Sequence, residues 1–537
     1  MTQDNHPRVT IVMTARERYD LTLAAIDSIV CNTSIPYRFI YLDIQSPDWL
    51  REQLKNRPEL NVIRFDTPLW PQQARASIAG SIETDYVVFI DNDVQVEAGW
   101  LDALVACADD TGAGIVGPLY LWGDGTTSKK IHMAGGKLSE MHEAGRRVLD
   151  ESHQLINESP EVVANELYRR PCDFVEYHCM LIRTALIKDG KLLDPDIHCV
   201  HEHIDTALAA RQLGFDVFLE PSARVTYLAF NEYLLGDLTL FRDRWSQAEA
   251  EASIEAFSRK WNVINDNRSF GKVRQFLLTH TARVDPIRPP ARDNRDRDAP
   301  MRREELRQTR SDLMDFAIER GYQPQELTLL ANAYHLAHVL MDGGYRPCGR
   351  PFINHLVGTA SALIRYDFRA ETVAAGLLHS AYTHCPPHNG DPKAVAETVC
   401  AWLGGHGSAL EKRVRAYTQR SSLWAKPQAN SNPFENISML DAEILAIAAA
   451  NEVDMHLSGE YRYTNRTDAP VPQVMQAMFD TCRTLGASGL AETLRQTPLE
   501  QSPVQAQFVT RTTGSYRIGQ DRQHVVSMVN NVLSLLQ

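Results

Sequence analysis

The stretch TDYVVFIDNDVQVEAGWLDAL (Thr84–Leu104) runs an apolar segment directly into acidic residues. Only apolar and aromatic residues lie between Asp85 and Asp91, and Asn92 and Asp93 follow at once. In open α/β sheets, ligands bind beyond the carboxyl ends of the strands. Because alternate residues of a strand face the same side, the two carboxylates Asp91 and Asp93 can meet one ligand while Asn92 points away. Such a pair suits a hard divalent cation, although Asp91 can also simply cap the following turn.

Strand-like and helix-like segments alternate through the first 260 residues. The β-branched runs are RVTIVMTA, RFIYLDIQ, NVIRFD and DYVVFID, and the segments between them with helical spacing include DLTLAAIDSIVCN and PQQARASIAGSI. Repeated βα units of this kind predict a mostly parallel sheet covered by helices on both faces.

The character of the sequence changes after about residue 270. The stretch RVDPIRPPARDNRDRDAPMRREE (Arg283–Glu305) is rich in Pro, Arg and Asp, which is typical of a linker. Apolar residues recur at helical spacing from about Glu304 onward, and strand patterns are nearly absent there. We therefore predict an α/β domain over residues 1–270, a linker over 271–303 and an all-α domain over 304–537.

Composition narrows the classes of function. The 537 residues carry a formal net charge of −13, and the arginines of the predicted linker alternate with aspartates, so we expect no nucleic-acid partner. The N-terminus has no basic start followed by an apolar run, and no stretch reaches the roughly 18 apolar residues of a membrane span. The nine cysteines are scattered, as in a reduced chain. We predict a cytoplasmic protein without a membrane span.

The first half resembles the family 2 glycosyltransferases of the GT-A fold over roughly residues 7–260. The resemblance is carried by five blocks in the family's order, namely VTIVMTARERYDLTLAAIDSI, YLDIQS, WPQQARASIAGSIETDYVVFIDNDV, HCMLIRTALI and EHIDTALAARQLGFDVFLEPSARVTY. It implies a nucleotide-diphosphate sugar as donor and a saccharide, glycoconjugate or small molecule as acceptor. It also implies Mn²⁺ or Mg²⁺ bound by Asp91 and Asp93, and a nucleotide-sugar site formed by Thr14, Arg16, Asp43, Arg75, Asp91 and Asn92.

An inverting transferase also needs a general base for the acceptor hydroxyl. The family usually carries a Glu-Asp pair, but here Glu202 is followed by His203, so the base stays open between Glu202 and Asp205, with Glu202 favoured. Asp205 can instead cap the following helix. The dense histidines His198, His201 and His203 can line the acceptor cleft or supply a metal ligand. The family often has a histidine after its last core strand, where this chain has Tyr227, so one metal ligand stays unassigned.

The second half resembles the HD-type metal phosphohydrolases, including the helical domain of stringent-response nucleotide enzymes. The family's first histidine matches His338 or His335. The stretch RPCGRPFINH then supplies the arginine, glycine and second histidine of the motif, which are Arg346, Gly349 and His355. The last histidine is His379, at the end of AGLLH. The family's two aspartates fall on Ser380 and Asn451, which are poor ligands for a divalent metal, and Asp454 can replace one only if its helix is rotated. The domain is then a metal-free descendant of the HD fold that binds a partner, a nucleotide or the acceptor. A histidine-rich redox or iron-type site is the alternative.

The combined prediction is a metal-dependent, inverting glycosyltransferase. The alternative is a bifunctional enzyme whose helical domain hydrolyses or modifies a phosphorylated or sugar metabolite. A non-catalytic scaffold is a third class: the Asp91–Asp93 pair argues against it in the first domain, and the lost carboxylates favour it in the second.

Overall fold

The computed structural model divides the chain into two compact units, Met1–Thr281 and Ala282–Gln537. The structure describes residues 6–67, 69–123, 129–190, 192–228, 232–289, 295–346, 348–384, 392–421, 437–462, 472–496 and 516–517.

The first unit is built on a ten-stranded sheet, with one separate hairpin of two further strands. Its strands are β1 (Val9–Thr14), β2 (Tyr37–Ile44), β3 (Asn61–Phe65), β4 (Tyr86–Asp91), β5 (Val94–Val96), β6 (Ile115–Trp122), β7 (Lys130–Met133), β8 (Gly136–Glu143), β9 (Arg146–His153), β10 (Arg170–Cys172), β11 (Cys179–Arg183) and β12 (Val217–Tyr227). Its helices are α1 (Thr22–Asn32), α2 (Asp48–Leu54), α3 (Pro71–Ile78), α4 (Trp100–Thr111), α5 (Glu202–Gln212), α6 (Leu238–Arg244), α7 (Gln247–Trp261) and α8 (Asn267–Val284).

The sheet has a parallel part and a mixed part. Its main path runs β10-β12-β6-β11-β4-β1-β2-β3, and β1 to β4 are parallel to one another. The expected parallel arrangement therefore holds for β1 to β4. The sheet as a whole is mixed, because β11 runs antiparallel between β4 and β6. Every residue of β1 and β4 is buried, and Thr14 and Asp91 are register partners at their carboxyl ends.

The predicted linker over 271–303 begins inside a helix. Residues 271–284 belong to α8, whose apolar side chains Phe270 and Leu277 are buried, so this part is not a structureless connection. The sequence prediction rested on the Pro-rich stretch from Arg283 and missed the helical spacing before it. As domain boundaries, 270 and 304 stay predictions.

In the described residues, the second unit is helical, as predicted, apart from the short strand pair β13 (Gly344–Tyr345) with β14 (Tyr516–Arg517). Its described helices are α9 (Arg310–Glu319), α10 (Pro324–Met341), α11 (Phe352–Arg365), α12 (Ala370–Leu378), α13 (Ala381–His384), α14 (Pro392–Trp402), α15 (Ala409–Thr418), α16 (Met439–Leu457), α17 (Pro472–Thr484) and α18 (Ser488–Arg495). Helices α11 and α16 are buried over most of their length and form its centre.

Two general features complete the fold. The eight cysteines that the structure describes are free thiols. Among the described helices, none combines the length and apolar character that a bilayer crossing requires.

Candidate active site

Asp91 ends β4 and is held by a basic shell. Its carboxylate accepts a hydrogen bond from Arg75 Nη2 at 2.9 Å, His178 Nδ1 lies 3.2 Å from its other oxygen, and Arg16 Nε lies 3.9 Å away. Burial alone would raise the pKa of Asp91, but the hydrogen bond from His178 and the charges of Arg75 and Arg16 lower it overall. Asp91 is therefore an ionised carboxylate of fixed orientation.

Asp93 differs from Asp91 in lacking basic partners for its carboxylate among the described residues. It is 1% exposed, and neither carboxylate oxygen has a hydrogen-bond partner among the described residues. Burial, and then the charge of Asp91, raise its pKa to about 8. Ligand atoms of Asp91, Asp93 and His178 all lie within 4.8 Å of one another. Because a buried carboxylate without a partner costs folding free energy, the cluster fits a cation that would satisfy both acids.

Arg75 and Thr14, both predicted to bind the nucleotide sugar, lie behind Asp91. Arg75 is 2% exposed, donates to Thr14 Oγ1 at 3.0 Å as well as to Asp91, and stacks over the ring of Tyr177 at 4.2 Å. The parallel register of β1 and β4 brings Thr14 and Asp91 side by side. These contacts orient the aspartate.

Asn92 points away from Asp91 and Asp93, as the strand geometry predicts. Its amide group donates to the Arg18 carbonyl at 2.6 Å and to Thr22 Oγ1 at 2.7 Å, and its oxygen accepts from the Arg16 backbone at 3.1 Å. The side chain is fully buried, and these bonds fix the loop between β1 and α1. The structure therefore gives Asn92 a loop-anchoring position.

The loop between β1 and α1 is also held from the other side by Glu17, which is 1% exposed. Its carboxylate accepts hydrogen bonds from Tyr233 and Trp245, and His280 Nε2 lies 3.2 Å away. Burial opposes ionisation, but His280 and Arg16 lower the pKa of Glu17 overall. Glu17 thus anchors the loop that carries Arg16.

Arg16 and Asp43 lie on two neighbouring elements of the parallel part. The Arg16 side chain is 18% exposed, and its guanidinium lies 5.6 Å from the ring centre of Tyr227. Asp43, near the end of β2, accepts from the Ser46 backbone at 2.9 Å and faces Arg51 Nε at 3.4 Å.

Sequence reasoning missed His178 as a candidate ligand. It precedes β11 directly, is 3% exposed and stacks on Tyr227 with ring centres 4.1 Å apart. Tyr227 stands where the family often has a histidine, so the structure brings an imidazole to the same neighbourhood from a different segment. Burial and the charge of Arg16 lower the pKa of His178, although Asp91 opposes them, and a neutral imidazole can bind metal. The one available sequence signal was a polar residue at the start of the apolar run HCMLIRTALI.

The two candidate bases, Glu202 and Asp205, both lie in the first turn of α5 but have different surroundings. Asp205 is fully buried, with Trp261 Nε1 at 2.7 Å and Lys260 Nζ at 2.8 Å from one oxygen. Burial raises its pKa to about 6, against the effect of Lys260. Glu202 is 9% exposed and meets Arg244 Nη2 at 3.2 Å. Helix α5 begins at Glu202, so Asp205 does not cap it.

The three dense histidines diverge. His198 Nε2 contacts Glu249 at 3.0 Å, His201 packs against Phe257 at a ring distance of 5.1 Å, and His203 Nε2 lies 3.7 Å from Glu151. His201 and His203 both lie near the carboxylate of Glu151, whereas His198 lies apart from them on Glu249. None of them belongs to a ligating group among the residues described here.

In the second unit, the predicted HD-like residues are only partly assembled. His355 and His379 are buried with ring centres 5.3 Å apart, whereas His335 and His338 are exposed on α10. His338 stacks on Tyr334 there, so neither α10 histidine joins the pair.

Asp454, not Asn451, meets His355, with an Nδ1–Oδ2 distance of 2.7 Å. Gly358 makes this possible, since a Cβ there would lie 1.7 Å from Asp454 Oδ1. Arg350 donates to both oxygens of Asp454, at 2.8 and 2.9 Å.

Further charges complete the cluster around His355. Arg346 pairs with the buried Glu460 at 2.6 Å, and Gly349 with a φ of 84° forms the turn between the two arginines. Ser380 is buried but places no carboxylate near His379. The ligand atoms of His355, Asp454 and Glu460 are close enough for a metal, but the two guanidinium groups already neutralise these carboxylates. The cluster therefore does not fit a hydrolytic metal centre.

The family comparison concerns the first unit. Residues 10–188, about a third of the chain, match the family model described as Glycosyl transferase family 2. No curated protein matches the chain.

Two similar solved structures are GalNAc-T7 with UDP, GalNAc and Mn²⁺, and S. aureus TarS 1-349 in complex with UDP-GlcNAc. GalNAc-T7 is 16% identical over 53% of this chain and 59% of its own, with a TM-score of 0.34. This chain therefore spans less than two thirds of GalNAc-T7. TarS is 12% identical over 77% of this chain and 92% of its own, with a TM-score of 0.30. TM-scores this low do not establish a shared fold or function.

Proposed function

We propose that the protein is a glycosyltransferase that moves a sugar from a nucleotide-diphosphate sugar to an acceptor hydroxyl with inversion at the sugar carbon. The main support for this proposal is the buried Asp93, which lies beside the fixed carboxylate of Asp91. Its two carboxylate oxygens have no hydrogen-bond partner among the described residues. A fold keeps such a group at a cost of folding free energy, and a bound cation would offset that cost.

Asp91, Asp93 and His178 would hold the metal. A divalent ion there would neutralise the diphosphate leaving group. The donor set favours Mn²⁺ over Mg²⁺, because an imidazole ligand suits the transition metal better than the alkaline-earth ion.

Arg16 and Asp43 are the donor-binding groups in this proposal. The Arg16 side chain is partly exposed beside Asp91, and its guanidinium could bind a phosphate oxygen there. Asp43 lies near the carboxyl end of β2, where the resemblance places the contact to the nucleoside. Arg75 and Thr14 contribute indirectly, because their hydrogen bonds orient Asp91. Asn92 contributes by holding the loop between β1 and α1.

Glu202 is the proposed general base. Asp205 has an indole N–H and an ammonium group bound to its carboxylate, so it is poorly placed to take a proton from an acceptor hydroxyl. Glu202 has one guanidinium contact and keeps some exposure. A carboxylate that can approach the acceptor hydroxyl can accept its proton as the new glycosidic bond forms.

The function is tested with the full chain and a panel of nucleotide-diphosphate sugars, with Mn²⁺ and after removal of metal by a chelator. We expect one donor to release its nucleoside diphosphate in the presence of Mn²⁺, and Asp93→Asn to lose that release. Asp189→Asn is the matched control, because Asp189 is exposed on the surface of the same unit. Equal turnover of wild type and Asp93→Asn would refute the metal site, and no turnover or binding with any donor would refute the transfer reaction.

For the second unit we propose a non-hydrolytic role, such as binding a partner, a nucleotide or the acceptor. Its support is the pairing of Asp454 and Glu460 with Arg350 and Arg346, which leaves little negative charge for a catalytic ion. The full chain should release no phosphate from nucleotides. Phosphate release that disappears in His379→Ala would establish the bifunctional alternative.

A further inference from the structure

A second group of ligating side chains lies beside the Asp91–Asp93 site. It consists of His132 on β7, His153 at the end of β9, and Glu176 and His178 in the segment before β11. Three imidazoles and one carboxylate from separate parts of the chain therefore converge, and the sequence analysis singled out none of them as a ligand.

The carboxylate of Glu176 is the centre of this group. His132 Nε2 lies 2.7 Å from Glu176 Oε2, His178 Nε2 lies 3.6 Å from the same oxygen, and His153 Nε2 lies 3.5 Å from Glu176 Oε1. The ring centres of His132 and His153 are 4.9 Å apart, and those of His132 and His178 are 5.5 Å apart. Ligand atoms of His132, Glu176 and His178 all lie within 4.8 Å of one another.

The environment favours a bound ion over a set of ordinary hydrogen bonds. His132 is 9% exposed and His178 is 3% exposed, so both imidazoles are shielded from water. A single carboxylate cannot compensate three imidazoles, two of them buried and one half-buried, if more than one is protonated, whereas neutral imidazoles present lone pairs that need a partner.

We propose that His132, Glu176 and His178, with His153 as a fourth ligand, bind a zinc-type transition-metal ion. Nitrogen-rich sets with one carboxylate suit Zn²⁺ and its neighbours, whereas Asp91 and Asp93 form an oxygen-rich site for a harder ion. With metal–ligand distances near 2.0 Å in a tetrahedral site, His132 Nε2 and Glu176 Oε2 would separate to about 3.3 Å, which is a small adjustment.

His178 links the two sites. Its Nδ1 faces Asp91 and its Nε2 faces Glu176, so one imidazole can contact either ion. Arg16 Nη1 lies 3.1 Å from His178 Nε2, so binding at the second site requires this guanidinium to move away. The second site does not rest on sugar transfer, because His132, His153 and Glu176 have no assigned role in that reaction.

The test uses the full chain, stripped of metal and titrated with Zn²⁺ and, separately, with Co²⁺. We expect two equivalents of Zn²⁺ in the wild type, and one in each of His132→Gln and Asp93→Asn. His142→Gln is the matched control, since His142 is an exposed histidine on the neighbouring strand β8, and it should keep two. The Co²⁺ protein should show the intense visible absorption of a tetrahedral nitrogen-ligated ion, and Asp93→Asn should retain it.

Several results would overturn the proposal. They are a single equivalent of Zn²⁺ in the wild type that His132→Gln retains, two equivalents retained in His132→Gln, or a Co²⁺ spectrum without tetrahedral bands. The wild-type spectrum decides the matter even if His132→Gln does not fold. Loss of donor turnover in Asp93→Asn with the tetrahedral band intact would separate this site from the one proposed for transfer.

Discussion

Asp93 in the first unit and Asp454 in the second are both buried carboxylates beside a histidine, and they have opposite partners. Asp93 has no hydrogen-bond partner among the described residues, whereas Asp454 is bound by both nitrogens of Arg350 and by His355. Burial raises the pKa of both acids, but Arg350 opposes that effect at Asp454, while Asp91 adds to it at Asp93.

The difference distinguishes a carboxylate that is available to bind a ligand from one that stabilises the folded structure. A buried acid without a partner destabilises the native state until something binds it. An acid in a two-pronged contact with arginine is satisfied already, and removing it leaves a buried cation. The same residue type near a histidine therefore indicates a site only when its partners have been counted.

Asp93→Asn gives the sharpest expected loss of activity. We expect the rate of transfer with Mn²⁺ to fall by about 10⁴-fold, because a metal that stabilises a leaving group contributes several kcal/mol. The free energy of unfolding of the metal-free protein should not fall, since a neutral amide replaces a buried acid that has no hydrogen-bond partner among the described residues. Initial rates and urea unfolding measure the two quantities, and a large loss of stability would make Asp93 a structural residue instead.

Asp454→Asn should show the reverse pattern. The free energy of unfolding should drop by about 3–5 kcal/mol, because Arg350 and His355 lose a buried counter-charge. Transfer activity of the folded protein should stay near wild type. The exposed Asp315→Asn in the same unit is the control, and an equally stable Asp454→Asn variant would contradict the assignment.

Glu202→Gln separates the two candidate bases. Turnover should fall by about 10²-fold or more while donor affinity changes little, as expected for a proton acceptor. Asp205→Asn should affect stability more than turnover. If Asp205→Asn shows the larger loss of turnover at unchanged donor affinity, the base is Asp205.

Asp205 also has a pH-dependent effect on stability. Its pKa is about 6 in the folded protein against an ordinary value of 3.8, so the native state binds the extra proton between these values. Stability from this group is therefore present below about pH 4 and is lost as the pH rises through 6, by about 3 kcal/mol. Unfolding of wild type and Asp205→Asn at pH 4 and pH 7 measures it, and parallel pH profiles would contradict it.

The sequence allowed the position of Asp91 and Asp93 to be predicted, because a buried run ending in alternating acids has only one plausible placement in a parallel sheet. The mixed part of the sheet was harder to predict, since β11 and β12 pair with strands that are distant in sequence. His178 lies 85 residues beyond Asp93, and no local pattern joins the two.

Asp454 shows a second kind of limit. Family spacing pointed to Asn451, but the residue on the next turn of α16 contacts His355, because Gly358 on α11 leaves room for its carboxylate. This close approach depends on the packing of two helices, which the spacing within either helix does not reveal.

The contacts of Glu17 should affect the rate at which the donor binds. Aromatic and histidine side chains from residues 233–280 hold the loop of Arg16 in one conformation before any donor arrives. Donor association should then avoid much of the entropic cost of ordering that loop, and its rate should not wait on a rearrangement there. Trp245→Phe, which removes the indole donor to Glu17, should accordingly slow donor association in stopped-flow measurements.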